Sequence, residues 1–460
     1  MSIRIFIIFF LSILNIGICH TGMTQSIPDQ SLRTDPSWVI DFQSKGFIPE
    51  DIVIDRSGNI YTTGSFNMGI VLADSIHIWS TGGRYDGIAN TYFLMKHDSS
   101  GKLLWFSYGM GKCRSRGVEI DSQGNIYTVG ESFSPELNFI SSRQETIYVD
   151  KPADPASHGL FICKHDSLGN ILASRFISNN EREAPQDFKI DHNDQLIIVG
   201  NSFYTVENES KRKYFILKLD SNFQPIWQKT GENNGRSHII ALTTDKKGNI
   251  YTTGGFFERI KMDDQVLISK NHNQTFFVAK FNPDGKLKWI NSRLNLPKSQ
   301  FYPGVGQAIA LGPGKKILVS GSIYSNLFVS QLNTRGKTKW LLQTNNGVST
   351  STSNILINDR TFYIVGKTTR LTFPSTDTNN ISMQSKGATD FHIAKYNLKG
   401  QLISLYSGGG RLTDYGDAAH VHDQNIYLLG HILGGKTQFE SKSIQKREYT
   451  MWIAKFPLSE

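Results

Sequence analysis

His420 and His422 stand two residues apart, and in an extended strand that spacing puts both imidazoles on one face. Such a pair can hold a metal ion when a third ligand converges on it. No third ligand stands out in the sequence, so two partly exposed polar residues are the simpler account. The oxygen-rich runs that begin at Asp55, Asp121 and Asp245 lack the full ligand spacing of a calcium loop. An aspartate heading a tight turn caps that turn's own amides and needs no metal. Three carboxylates, Glu50, Asp187 and Asp417, occupy matching or adjacent places in separate apolar runs. Two of them brought together would suit acid–base cleavage of a polysaccharide, as in a glycosidase or lyase. Trp79, Tyr85, Tyr204 and Tyr302 fall in connecting segments and offer faces for sugar rings, although scattered surface aromatics are common without any ligand. The sequence has no nucleophile elbow, Gly-rich phosphate loop, His-Glu-x-x-His segment or paired-cysteine metal motif. No catalytic residue, metal or cofactor is therefore assigned, and the reading leans away from an enzyme.

What must position these groups is a repeat. The phrase Asp55-Arg-Ser-Gly58-Asn59-Ile60-Tyr61-Thr-Thr-Gly64 returns as residues 121–130 and 245–254. Weaker copies end at Gly200, Gly321, Gly366 and Gly430. A second phrase follows each, clearest as Phe277-Val-Ala-Lys280-Phe-Asn-Pro-Asp-Gly285-Lys-Leu-Lys-Trp289. Its lysine recurs at Lys96, Lys164, Lys218, Lys395 and Lys455, and its tryptophan at Trp105, Trp227 and Trp340. Both phrases alternate β-branched and aromatic residues as half-buried strands do, and each contains a turn that wants a residue at positive φ. Four strands repeated radially specify a propeller. Pro36 to Phe42 matches the fourth, Trp-bearing strand through Trp38 but precedes any first strand, while the last unit lacks a fourth. The expected fold is all-β: a single seven-bladed β-propeller of four-stranded antiparallel blades over residues 36–457, with the N-terminal strand closing the last blade. The tryptophans are expected between blades. Inserts of varied length lie between second and third strands, as at residues 131–158 and 259–268, and several should form extra hairpins.

The first strand of each blade should lie nearest the axis. Small or short residues recur there at Asp51, Gly117, Asp187, Ala241, Ala308, Asn354 and Ala418, preceded by Glu50, Arg116, Gln186, Ile240, Gln307, Ser353 and Asp417. Glu50, Arg116, Asp187, His238, Gln307 and Asp417 are the candidate axial-rim ligands. An ordinary solvated rim is the alternative.

Of 460 residues, 11% are aromatic and only 19% charged, too apolar for a disordered chain. A formal charge of +9 admits acidic partners, but the basic residues are scattered. The longest cluster, Lys211-Arg212-Lys213, reads as a solvated loop, so nucleic acid is not expected. Arg4 followed by the apolar stretch from Ile5 to Ile18 has the length of a signal peptide over residues 1–20 rather than a membrane span, with 21–35 as a short linker. Cys19 as a lipid-anchor site is disfavoured, because Ile18 precedes it where a small residue is wanted. Cys113 is expected in a connecting loop and Cys163 in a strand, as a surface and a buried thiol or as a pair.

The repeated phrases resemble the bacterial β-propeller repeat called SBBP, best at the copies ending Gly64 and Gly254, over about residues 36–456. The resemblance implies an exported propeller destined for periplasm, outer membrane, cell surface or medium, and carries no catalytic residues. Together these readings point to an exported, monomeric binding scaffold that engages a protein or glycan through its loops. A polysaccharide-acting enzyme with axial carboxylates, or a structural envelope component, is the alternative.

Overall fold

Each Asp-x-x-Gly-Asn phrase folds because its aspartate satisfies the whole turn. Asp55 Oδ1 accepts from the amides of Ser57 and Asn59, both at 2.9 Å, and Oδ2 accepts from Asn59 Nδ2 at 2.8 Å and Tyr61 Oη at 3.1 Å. Asp121 and Asp245 repeat this pattern. The recurrent lysine then lies over the same tyrosine: Lys96 over Tyr61 at 5.2 Å, Lys164 over Tyr127 at 4.8 Å and Lys280 over Tyr251 at 4.9 Å. Aspartate, tyrosine and lysine thus form one cassette holding three strands together. Where Phe223 replaces the second turn's glycine, it adopts φ +63°, keeps the turn's hydrogen bond to Asp220 O, and packs edge-on to Tyr127. Burial of its ring offsets the conformational cost.

The computed structural model describes residues 35–42, 46–67, 69–72, 76–79, 91–134, 137–149, 158–178, 181–206, 209–232, 236–269, 273–293, 304–324, 326–344, 350–446 and 449–458. Among these the fold is all-β, apart from one 3-10 turn at Pro313–Lys315. The same antiparallel meander recurs throughout. In one copy Gly304–Gly312 pairs with Lys316–Ile323, then Asn326–Leu332, then Thr338–Gln343. Trp38–Phe42 pairs with Thr450–Pro457, in register Trp38 with Lys455, and so becomes the fourth strand of the chain's last sheet. That is the register of Lys96 with Trp105 and Lys280 with Trp289. The candidate closing strand therefore sits in the tryptophan strand's place.

The core lies between successive sheets. Ile197, Val199, Tyr214 and Ile216 of one meander bury against Ile239, Phe256, Phe277 and Ala279 of the next. Tryptophans seal the outer part of these interfaces, as their recurrence implies. Trp227 Nε1 donates to Pro283 O at 3.0 Å and Trp289 Nε1 to Thr334 O at 3.1 Å. A Cβ on Gly336, at φ +74°, would come within 2.7 Å of the Trp289 ring, so both the turn and the tryptophan require glycine there. First strands pack against one another in order: Phe47–Ile54, Cys113–Ile120, Arg182–Ile190, Arg236–Thr244, Gly304–Gly312, Ser351–Asn358 and Asp414–His422, the last touching Phe47–Ile54 again.

Three details depart from expectation. Cys113 opens a first strand and is as buried as Cys163; neither forms a disulfide. Lys211-Arg212-Lys213 belongs to the strand Glu209–Leu219, not to a loop, because the hairpin with Leu196–Val206 continues beyond the blade core. Two inserts do more than decorate. Asn138–Ile140 pairs with Leu103–Met110, and Gly435–Phe439 with Leu402–Gly410, each covering an edge strand of the preceding sheet. Covered edges resist intermolecular pairing. No helix among the described residues is long and apolar enough to cross a membrane.

Candidate functional site

Every first strand breaks register at the same place. The residues squeezed out of the ladder are Glu50, Arg116, Gln186, Ile240, Gln307, Ser353 and Asp417. A β-bulge re-aims its extra side chain and sharpens the local twist, so the mixed series in the sequence is a series of bulges. The bulge also explains the strand glycines. A Cβ on Gly64 would lie 2.2 Å from Ile48 O, and one on Gly254 would lie 2.1 Å from His238 O. Gly130, Gly200, Gly321, Gly366 and Gly430 meet the same carbonyl.

Most polar groups beside the bulges are used to tie one first strand to the next. Asp51 Oδ2 accepts from the Val118 amide at 3.0 Å, Asp187 Oδ2 from Leu242 at 2.8 Å, Gln307 Oε1 from Thr352 at 3.0 Å, and Asn354 Oδ1 from Ala419 at 3.0 Å. Ser353 Oγ donates to Gly416 O at 2.6 Å. These bonds satisfy groups that the crowded strands partly withdraw from water. Asp187 and Gln307 are therefore inter-strand ties first.

The remaining charges form two groups. In one, Arg116 reaches Glu50 at 3.5 Å and Glu131 at 3.0 Å. Glu131 is nearly fully buried and also receives Arg114 and Arg182. Asp417, whose charge acts on Glu50, pairs with His431 Nδ1 at 2.6 Å. Burial raises the Glu50 carboxyl, with Arg116 and Arg114 opposing. In the other group, Lys189 pairs with Glu119 and lies 4.0 Å from Asp187. Burial pushes Asp51 up to about 7 and Asp187 to about 6, each opposed by Lys189. Burial also works against the Lys189 charge, but Glu119, Asp187 and Asp51 outweigh it and raise its pKa. The three candidate acids do not meet: Glu50 and Asp417 share one group, and Asp187 belongs to the other.

His238 lies two residues before the bulge at Ile240, buried, with its ring 3.0 Å from Gln274 Nε2. Burial, Lys189 and His422 lower His420 to about 4, while His422 pairs with Asp423 at 3.1 Å. Among the described residues no three His, Cys, Asp or Glu side chains are grouped to hold a metal. Tyr204 carries Lys213 Nζ 5.1 Å above its ring. Trp79 ends the strand Ile76–Trp79, and Tyr85 and Tyr302 lie outside the described residues. Sequence reasoning passed over Glu131 and the arginines that converge on it. The available signal was a charge placed directly after the repeat's strand glycine, Gly130.

No known family profile matches the chain. A 189-residue stretch is 29% identical to an uncharacterised WD repeat-containing protein of Acanthamoeba polyphaga mimivirus, covering 37% of this chain and 13% of that protein. The match thus spans about an eighth of the relative's length. Among solved structures, polysaccharide lyase Uly1 aligns at TM-score 0.49 and 10% identity over 92% of this chain and 100% of its own. The Dos1 propeller aligns at 0.44 and 9% over 92% and 95%. An inactive virginiamycin B lyase from Staphylococcus aureus aligns at 0.43 and 8% over 91% and 98%. The antiparallel meander that recurs along this chain is that of a β-propeller repeat protein, and a WD repeat-containing protein is among the proteins similar to it.

Proposed function

We propose that the chain is an exported, non-catalytic propeller of seven blades, closed by Trp38–Phe42, that works as a monomeric binding or scaffolding module for a protein or glycan. The cyclic order of first-strand contacts and the pairing of the chain's two end strands support the blade count and the closure. Export rests on Arg4 and the apolar stretch after it, which lie outside the described residues. One observation carries the binding reading: the candidate acids at or beside the bulges are already engaged. Asp187 holds the next strand, Glu50 meets Arg116, and Asp417 holds His431. The variable part of the molecule is the insert-bearing end, the usual seat of specificity on a rigid scaffold.

A second reading has one specific support, the electrostatic coupling of Glu50 to Asp417, which would suit a proton donor beside a carboxylate. The test is to incubate the full chain with a panel of neutral and acidic polysaccharides. Both melting midpoint and new chain ends would be followed. A ligand at about a hundred times its dissociation constant adds roughly 2.7 kcal/mol. A raised midpoint without cleavage fits the binding module. Steady cleavage that disappears in Glu50→Gln or Asp417→Asn would replace it with the enzyme.

A further inference from the structure

At the insert-bearing end one run of cross-strand partners crosses two neighbouring four-strand meanders, which a single bridge joins into one eight-stranded sheet. Arg182 pairs with Phe203, Phe203 with Arg212, Arg212 with Arg236 through a parallel bridge, and Arg236 with Phe257. Directly paired positions share a face, so the row reads Arg, Phe, Arg, Arg, Phe across that face. It continues sideways, where Arg182 lies 5.3 Å over Phe203 and 4.9 Å over Phe133, and Arg114 lies 5.5 Å over Phe133. Five strands about 4.8 Å apart make the row roughly 19 Å long. That length accommodates several sugar residues of a chain laid across the strands.

Stability does not explain this arrangement. Arg182 and Arg114 have Glu131, but Arg212 and Arg236 have no ion-pair or hydrogen-bond partner among the described residues. Like charges set opposite each other are destabilising. Burial and the Arg236 charge together lower the pKa of Arg212. Beside them, on the same strand face as Arg236, His238 is 5% exposed and its Nδ1 has no hydrogen-bond partner. At the place of His238, two residues before the bulge, the strands Gly304–Gly312 and Ser351–Asn358 carry Val305 and Ser351.

We propose that this Arg–Phe row binds an acidic polysaccharide, with Arg212 and Arg236 clasping a carboxylate or sulfate and Phe203 and Phe257 stacking on sugar rings. Planar guanidinium forks meet such oxyanions with paired hydrogen bonds that lysine cannot reproduce. An anion seated between Arg212 and Arg236 converts their mutual repulsion into affinity. The inference rests on the binding-module reading and names its ligand class and its site.

The experiment titrates the full chain with polygalacturonate, dextran sulfate, neutral dextran and a single-stranded oligonucleotide at two salt concentrations. Wild type should bind one or both acidic glycans, more weakly at higher salt. Arg212→Gln/Arg236→Gln should bind at least about tenfold more weakly, with an unchanged or higher melting midpoint. Lys337→Gln/Lys339→Gln, an equal charge loss at two exposed lysines at and just before the strand Thr338–Gln343, should bind as wild type does. Carboxylated and sulfated polymers separate the two anion chemistries. Equal loss in both double variants, equal binding of neutral dextran, or preference for the oligonucleotide would overturn the row as a glycan site. Cleavage of a bound polymer would sink the non-catalytic reading and leave the row standing.

Discussion

The two ends of each blade are built on opposite plans. At the turn end the same cassette recurs with its bonds complete: Asp55, Asp121 and Asp245 cap their turns and hold a tyrosine under a lysine. At the bulge end the backbone repeats but the side chains do not. The same bulge carries Glu50, Arg116, Gln186, Ile240, Gln307, Ser353 and Asp417. Repetition marks what the sheet needs, and variation over a conserved backbone device marks what it is free to use. The bulge end is also where polar groups are left over, with Arg212 and Arg236 facing each other.

That contrast breaks most severely where the two plans join, at the strand glycines. Gly254→Val would drive a branched side chain into His238 O, which lies 2.1 Å from the position of a Cβ. Neither the bulge nor the ladder can yield without losing hydrogen bonds. A loss of about 4 kcal/mol or more is expected, read as a collapse of the urea midpoint. Retention of wild-type stability would show that the bulge is dispensable.

Acid should separate the two ends next. Burial holds His97 and His165, beside turn aspartates, and His238 and His392 further along, at about 3. Their folded values lie below the unfolded 6.5, so their contribution is complete above that pH and is lost as pH falls toward 3. Asp51 and Asp187 act in the opposite sense. Raised to about 7 and 6 from 3.8, they favour the fold most below 3.8 and lose that contribution as pH rises through the folded values. With His420 held at about 4 and Asp414 raised to about 6, five histidines outweigh three aspartates, giving a net loss of order a few kcal/mol between pH 7 and pH 5. His97→Leu should flatten the acid slope of denaturation, and Asp51→Asn should flatten the alkaline one. An unchanged slope in His97→Leu would mean that its ring is hydrated in solution.

The sequence exposed these two ends unequally, for a physical reason. A turn that satisfies itself locally writes its whole hydrogen-bond pattern into five or six residues, so Asp55 to Tyr61 could be read directly. Trp38 was readable because its register with Lys455 repeats that of Trp105 with Lys96. Long-range partners leave no such local trace. Nothing near Asp187 in sequence indicates that its carboxylate holds Leu242, 55 residues away. Arg212 looked like part of a solvated basic run because its neighbour Arg236 arrives from the next meander. Cys113 was misplaced because the first strand starts earlier than its apolar core.

Within the turn-end plan, Asp245→Ala removes the acceptor for Lys247 N, Asn249 N, Asn249 Nδ2 and Tyr251 Oη together. Several of these groups turn back to solvent, which limits the loss to about 2 kcal/mol. Tyr251 and Lys280 should become more mobile, and hydrogen exchange in residues 245–251 should quicken before it does anywhere at the bulge end. Equal protection in variant and wild type would mean that the glycine turn, and not the aspartate, holds the cassette.

The smallest effect is the most telling, because it has the opposite sign. Arg236 is exposed and faces Arg212 with no carboxylate between them. Arg236→Gln keeps the length and polarity of the side chain while removing one of two opposed charges. If the bulge end obeyed the plan of the turn end, removing a recurring polar group would cost stability. The register predicts a gain instead, within about 0.5 kcal/mol, larger at low salt and vanishing as salt rises because repulsion between partly exposed charges is screened. A salt-dependent gain measured by urea denaturation would place Arg236 among the residues the fold tolerates rather than requires. A salt-independent loss would instead make it part of the scaffold, and the distinction between the two ends would fail at the position chosen to test it.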